Sequence, residues 1–194
     1  MNIIGGGGLA RQIKDVVNSF NTYSISYGGR VEAWSIQEHE DESRPYIIGF
    51  ASLTNPEYRE LQYECLVEQG KGIGTIISPK ATVSPDVNIF PGTVILHNAF
   101  IGPGVKLEEN VLVGTGAIVE HDSAIEAHSI VLTGAIINGG CVVGRNCMIG
   151  SGSILLHNIT IANNVIVGAG TIVNKNITEP GTYVGCPARR IQNE

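Results

Sequence analysis

Charge is scarce in this chain. Only 15% of its 194 residues are Asp, Glu, Lys or Arg, against about a quarter in a typical soluble domain. A soluble protein with so few charges is expected to bury part of its surface in an oligomer. The net charge is −6, which argues against nucleic acid and anionic membrane as main partners. No apolar run reaches the ~18 residues of a membrane helix, so no membrane span is expected. The opening Met1-Asn2-Ile3-Ile4-Gly5 lacks the basic and apolar regions of a secretory leader, and a cytoplasmic location is the expectation. Cys65, Cys141, Cys147 and Cys186 form no C-x-x-C pair, which argues against metal and redox roles.

What the chain has instead is a period of six. Every sixth residue from Ile77 to Val173 is aliphatic, without a break. A second register runs four residues after each, through Ala81, Val87, Thr93, Ala99, Val105 and onward to Thr171, and it holds only small or β-branched residues. Neither a helix of 3.6 residues per turn nor an alternating strand produces this. It is the hexapeptide signature of a parallel β-helix, in which short strands stack coil upon coil. With three six-residue faces per coil, residues 18 apart share a face in neighbouring coils, about 4.8 Å apart. Cys141 and Cys147 fall on the small register and are expected to pack as small hydrophobes.

The segment before the repeats reads differently. A strand at Met1–Ile4 precedes Gly5 to Gly8, and a helical pattern follows with Leu9, Ile13, Val16, Val17 and Phe20 on one face. Further strands are expected at Thr22–Tyr27 and Tyr46–Phe50, and a helix from Asn55 or Pro56 to Glu68. This order predicts a small α/β, Rossmann-like domain over residues 1–72, then the β-helix over 73–176 and a polar tail over 177–194. Residues 70–75 read as the joint. Trp34 and Tyr46 are expected in the core, Glu108 and Glu109 in solvent, and Glu38 to Glu42 on a surface loop. Arg189 and Arg190 suit either a phosphate contact or a solvated terminus.

Gly5-Gly6-Gly7-Gly8-Leu9-Ala10 fits G-x-G-x-x-A between a strand and a helix. Glycines let a ligand approach the backbone, and the helix N-terminus offers free N–H groups to an anion. The end of the second strand, at Tyr27, Gly28 and Gly29, carries no acidic residue to hold a ribose, which argues against a nicotinamide dinucleotide. A bare strand–helix turn is the other reading of the loop.

His97, His121 and His157 each stand two residues after an aliphatic site, which places them at coil corners or on the outer surface. His121 and His157 share a face two coils apart with Gly139 between them, and His97 lies on another. His121 is flanked by Glu120 and Asp122, and a neighbouring carboxylate fixes a histidine's tautomer and raises its basicity. Gly139, one coil above, would leave its amide open. A base and an open amide on adjacent coils are two parts that acyl transfer needs. The spacing of His97, His121, His128 and His157 supports no three-histidine zinc site.

The run Ile118-Val119-Glu120-His121-Asp122, followed by Gly134-Ala135, Gly139, Val143-Gly144, Ile149-Gly150, Val167-Gly168-Ala169-Gly170 and Val184-Gly185-Cys186-Pro187-Ala188, resembles the bacterial sialic-acid O-acetyltransferase family of hexapeptide-repeat acyltransferases. That family includes N-acetyltransferases acting on nucleotide-linked amino sugars. The resemblance implies a left-handed β-helix, a homotrimer with sites between subunits, acetyl-CoA as donor and no metal. It implies His121 as general base, Asp122 as its acidic partner and Gly139 as oxyanion donor. It places Ile130, Ser151 and Ala169 at the CoA channel, and Gly7, Gly8, Leu9, Tyr27 and Ala51 around the sugar nucleotide. The chain departs from the pattern at Leu9 and Ile130, where the family often has histidine, and at Ala51, where it has glycine. His128 is the alternative to the missing histidine, and Glu120 the alternative to Asp122. The function implied is N-acetylation of a UDP- or dTDP-linked amino sugar in bacterial glycan synthesis. O-acetylation of a sialic acid, or a non-catalytic sugar-binding scaffold, are the alternatives.

Overall fold

The computed structural model describes residues 2–5, 7–18, 26–27, 45–49 and 57–191. Phe20, Trp34, the acidic run at 38–42, Phe50 and Ala51 lie outside them. Strand β1 (Asn2–Ile4) pairs in parallel with β2 (Ser26–Tyr27) on one side and β3 (Tyr46–Ile48) on the other. Helix α1 (Gly8–Asn18) follows β1. Helix α2 (Tyr58–Glu68) leads into the repeats. The third strand ends at Ile48, two residues before the expected Phe50, and the residue that follows it is Gly49. A Cβ there would lie 2.6 Å from the Ile3 side chain and 3.2 Å from Ala10 Cβ. Gly49 and Ala10 therefore let α1 lie close against the sheet.

The joint is structured rather than a loose linker. The Tyr46 N–H donates to Gly72 O at 2.8 Å, and the Gly74 N–H to Tyr46 O at 3.0 Å. The chain thereby extends the small sheet before entering the solenoid.

From Ile76 the chain winds as a left-handed parallel β-helix of about six turns. The first face stacks the two- and three-residue strands from Ile76–Ile77 to Val165–Val167, the second those from Thr82–Val83 to Ile172–Val173, and the third those from Asn88–Ile89 to Thr160–Ile161. Every pairing is parallel and 18 residues apart, as between Val119 and Ile137. Both sequence registers point into the bore. Ile95, Ile101, Leu107, Val113, Val119 and Ile125 of the first, and Val105, Ala117, Ala135, Cys141 and Cys147 of the second, are fully buried.

The second register is small because it sits at corners and also closes hydrogen bonds. Thr93, Ser123 and Ser129 hydroxyls donate to the carbonyls of Glu108, Asn138 and Gly144, each 15 residues ahead. Cys141 and Cys147 do the same toward Leu156 and Ala162, at 3.0 Å. Burial pushes the Cys147 thiol up to about 12, so it stays a protonated packing group. The corners turn through left-handed residues, Asn98, Asn110, Asp122, His128, Asn146, Asn158 and Asn164 among them, with φ of 54° to 62°. Asn, Asp and Gly tolerate this region best.

The N-terminal domain is packed onto this solenoid. Ala10, Ile13 and Val16 of α1 share an apolar cluster with Val94, Leu96, Leu112, Ile130 and Met148 of the first face. Helix α2 contacts the corner between the third and first faces through polar groups. Its Arg59 is fully buried and donates to Ile48 O at 2.9 Å and to Asn110 Oδ1 at 2.8 Å. Its Glu60 accepts hydrogen bonds from Arg145 and Asn146, while Leu61 and Val67 face outward.

In the polar tail, Gly181–Val184 extends the first face in parallel and Arg189–Ile191 returns antiparallel to it. One surface expectation is corrected. Glu108 and Glu109 are half-buried, and Glu108 accepts from Lys106 and from the Ala127 N–H. No helix among the described residues is long and apolar enough to cross a membrane.

Candidate active site

The corner between the second and third faces carries the candidate chemistry. Ile118–Val119 ends the second face, and Glu120, His121 and Asp122 make the turn, with Asp122 left-handed at φ 57°. That backbone turns the carboxylate back on its neighbour. His121 Nδ1–H donates to Asp122 Oδ2 at 2.9 Å. Nε2 is thereby left as the basic nitrogen. Glu120 is half-buried and its carboxylate makes no hydrogen bond among the described residues, so Asp122 is the carboxylate that orients the ring. The imidazole stays 53% exposed, which keeps it within reach of a ligand.

Gly139 lies one coil above. A Cβ on it would meet His121 Nε2, and Cε1 at 2.5 Å. The imidazole therefore occupies the space where any side chain at 139 would stand. The open amide expected there is covered by the ring, and Gly139 is buried. Its N–H donates no hydrogen bond among the described residues. His157, two coils above His121, is exposed. The same spacing continues to Lys175, which the sequence reading passed over.

The other predicted residues stand elsewhere. Ser151 and Ala169 are exposed on the corner between the first and second faces, on adjacent coils. Gly134, Gly152 and Gly170, beside them, have open space where a Cβ would be, which fits a ligand running along small residues and bare backbone. Within one chain the second face separates this corner from His121. Gly7 and Gly8 are exposed at the start of α1 and Leu9 is half-buried against the first-face cluster. Tyr27 lies in β2, paired with Ile3 of β1. Ala51 is outside the described residues.

Ile130 has no surface to offer a cofactor. It is fully buried between the first face and α1. His128 does not take its place. It is 3% exposed at the corner between the third and first faces, where its Nδ1 accepts from Asn110 Nδ2 at 2.9 Å and Tyr63 packs on it edge to face at 5.3 Å. Burial, then the Arg145 charge, hold it down at about 4. His97 stands at the first-to-second corner and ties α1 to the coil: Nδ1 contacts Ser78 Oγ at 2.5 Å and Nε2 contacts Asp15 Oδ2 at 3.1 Å. The four described histidines thus occupy three different corners. Among the described residues no group of three His, Cys, Asp or Glu is placed to hold a metal. Sequence reasoning missed Arg59 and Asn110, because a lone arginine on a helix and an asparagine at a turn give no signal of burial.

The chain is an acyltransferase by its likeness to solved acetyltransferases. Residues 74–193 match the family model of the GMPPB C-terminal domain, and the chain belongs to that family. It is similar over 98% of both chains to the acetyltransferase domain of PglB from Neisseria gonorrhoeae FA1090, at 25% identity and a TM-score of 0.88. That domain has also been solved in complex with acetyl coenzyme A. PerB from Caulobacter crescentus, in complex with CoA and GDP-perosamine, shares the fold at 22% identity and a TM-score of 0.85, over 98% of this chain and 96% of that one. No curated protein matches the chain.

Proposed function

We propose that the protein transfers the acetyl group of acetyl-CoA to the amine of a nucleotide-linked amino sugar. The observation that carries this reading is the His121–Asp122 pair with the imidazole set against Gly139, whose amide makes no hydrogen bond among the described residues. The free amine attacks the thioester carbonyl, and His121 Nε2 takes the proton that the nitrogen loses. Asp122 holds the Nδ1–H and steadies the imidazolium. The Gly139 N–H donates to the developing oxyanion, and the thiolate of CoA leaves. The likeness to the PglB domain over its whole length supports the donor, and the GDP-perosamine held by PerB supports the class of acceptor.

The glycine loop of α1 holds the nucleotide in this reading, and Ser151 and Ala169 line the path of the donor. Those two residues and His121 lie on different corners of one coil. A second copy of the chain, in a homotrimer, would bring the corners together across a cleft; light scattering in solution tests the assembly. The pathway is bacterial glycan synthesis in the cytoplasm.

The test is thiol release from acetyl-CoA with UDP-, dTDP- and GDP-linked amino sugars and with sialic acid, using the wild type and His121→Ala. General base catalysis contributes about 10²–10⁴-fold, and release with one amino sugar should fall by that much in the variant. Release with sialic acid alone would move the reaction to O-acetylation. An unchanged rate in the variant would remove His121 from the mechanism.

A further inference from the structure

The corner that carries His121 continues through Gly139 and His157, one coil at each step, and Lys175 follows the next strand of the same face in a turn shortened so that Ile177 pairs with Ile161. Lys175 is exposed just after the strand Ile172–Val173. Several other basic side chains are engaged: Arg59 is buried, Lys106 pairs with Glu108, Arg145 with Glu60 and Arg190 with Glu179, while Lys80 and Arg189 lie off the line of His121. Lys175 and His157 have no hydrogen bond or ion pair among the described residues. They are uncommitted nitrogen groups on one line with the base, in a protein of net charge −6. Beside His157 stands Leu156, one of the few large apolar side chains left 41% exposed.

The spacing of this line matches the donor of the preceding subsection, on which the inference rests. Three coil steps of about 4.8 Å put Lys175 about 14 Å from His121. In an acyl-CoA about thirteen bonds separate the thioester sulfur from the diphosphate, and at ~3.5 Å per three extended bonds they span about 15 Å. With the thioester at His121, the diphosphate reaches the level of Lys175 and the pantetheine arm crosses that of His157 and Leu156. Ser151 and Ala169, on the opposite wall of the proposed cleft, lie on the same two coils as His157 and Lys175.

We propose that Lys175 receives the diphosphate of the donor, while Leu156 and His157 line its pantetheine arm. Lys175 contributes charge that only the phosphates see. Leu156 covers the gem-dimethyl segment, and His157 hydrogen-bonds an amide of the arm.

The two roles separate by ligand. Titration calorimetry with CoA and with pantetheine, which lacks the phosphates, is run on the wild type, Lys175→Ala, Lys175→Arg and His157→Ala. Lys175→Ala should weaken CoA about tenfold, as loss of a charge-assisted contact does, and leave pantetheine unchanged. Lys175→Arg should restore CoA binding, and added salt should narrow the difference. His157→Ala should weaken both ligands alike. Equal CoA affinity in the wild type and Lys175→Ala would overturn the assignment and leave the donor intact. No CoA binding by the wild type would overturn the donor reading itself, and this inference with it.

Discussion

Adding one methyl group to Gly139 is the sharpest probe of the site. The new Cβ would stand against His121 Nε2 and 2.5 Å from Cε1, so the imidazole must leave its place. It is free to do so, because the side chain is 53% exposed and its only tie among the described residues is the bond to Asp122. Gly139 does not use a left-handed backbone, so alanine is conformationally acceptable. Stability should therefore hold, or rise by up to about 1 kcal/mol from the stiffer unfolded chain. Activity should not hold. Displacing a reacting group by about 1 Å costs on the order of 10²-fold, and loss of the base contributes up to 10⁴-fold. Gly139→Ala should thus keep the wild-type melting temperature within a few degrees and lose at least about 100-fold in kcat/KM. Activity within a factor of three of wild type would refute the placement of His121. A large fall in melting temperature would show that the clash falls on the backbone instead.

Asp122→Asn should lower kcat about 10–100-fold, since the neutral amide no longer stabilises the imidazolium, whereas Glu120→Gln should change it less than twofold; the reverse order in steady-state kinetics would make Glu120 the partner. His128 should make the fold acid-sensitive. Its folded pKa of about 4 lies below the 6.5 of the free side chain, so the unfolded chain binds the extra proton between those values. The stability present above about pH 6.5 falls as the pH drops, by up to about 3 kcal/mol at pH 4. His128→Asn, which suits the left-handed corner as Asn110, Asn146 and Asn164 do, should flatten that slope in urea melts at pH 7 and pH 4.5; an unchanged slope would assign it to other groups.

The solenoid was legible because its information is local and repeated. An aliphatic residue every six positions and a small one four later can satisfy one geometry only, since each points into the same narrow bore. The 18-residue arithmetic then put His121, Gly139 and His157 on one corner and His97 on another. Sequence alone could also set Asp122 beside His121. It could not show that the left-handed turn at Asp122 brings its carboxylate, rather than that of Glu120, to Nδ1. That choice belongs to a backbone angle.

What only the tertiary structure decided concerns contacts between the two parts of the chain. Ile130 reads as one more strand residue, yet α1 covers it. His128 reads as a polar corner residue, yet α2 buries it with Asn110 and Tyr63. Arg59 reads as a solvated helix charge, yet it is wholly enclosed. In each case the residue's exposure is set by a partner far away in sequence, and no period within a segment encodes which of its outer faces another segment will cover.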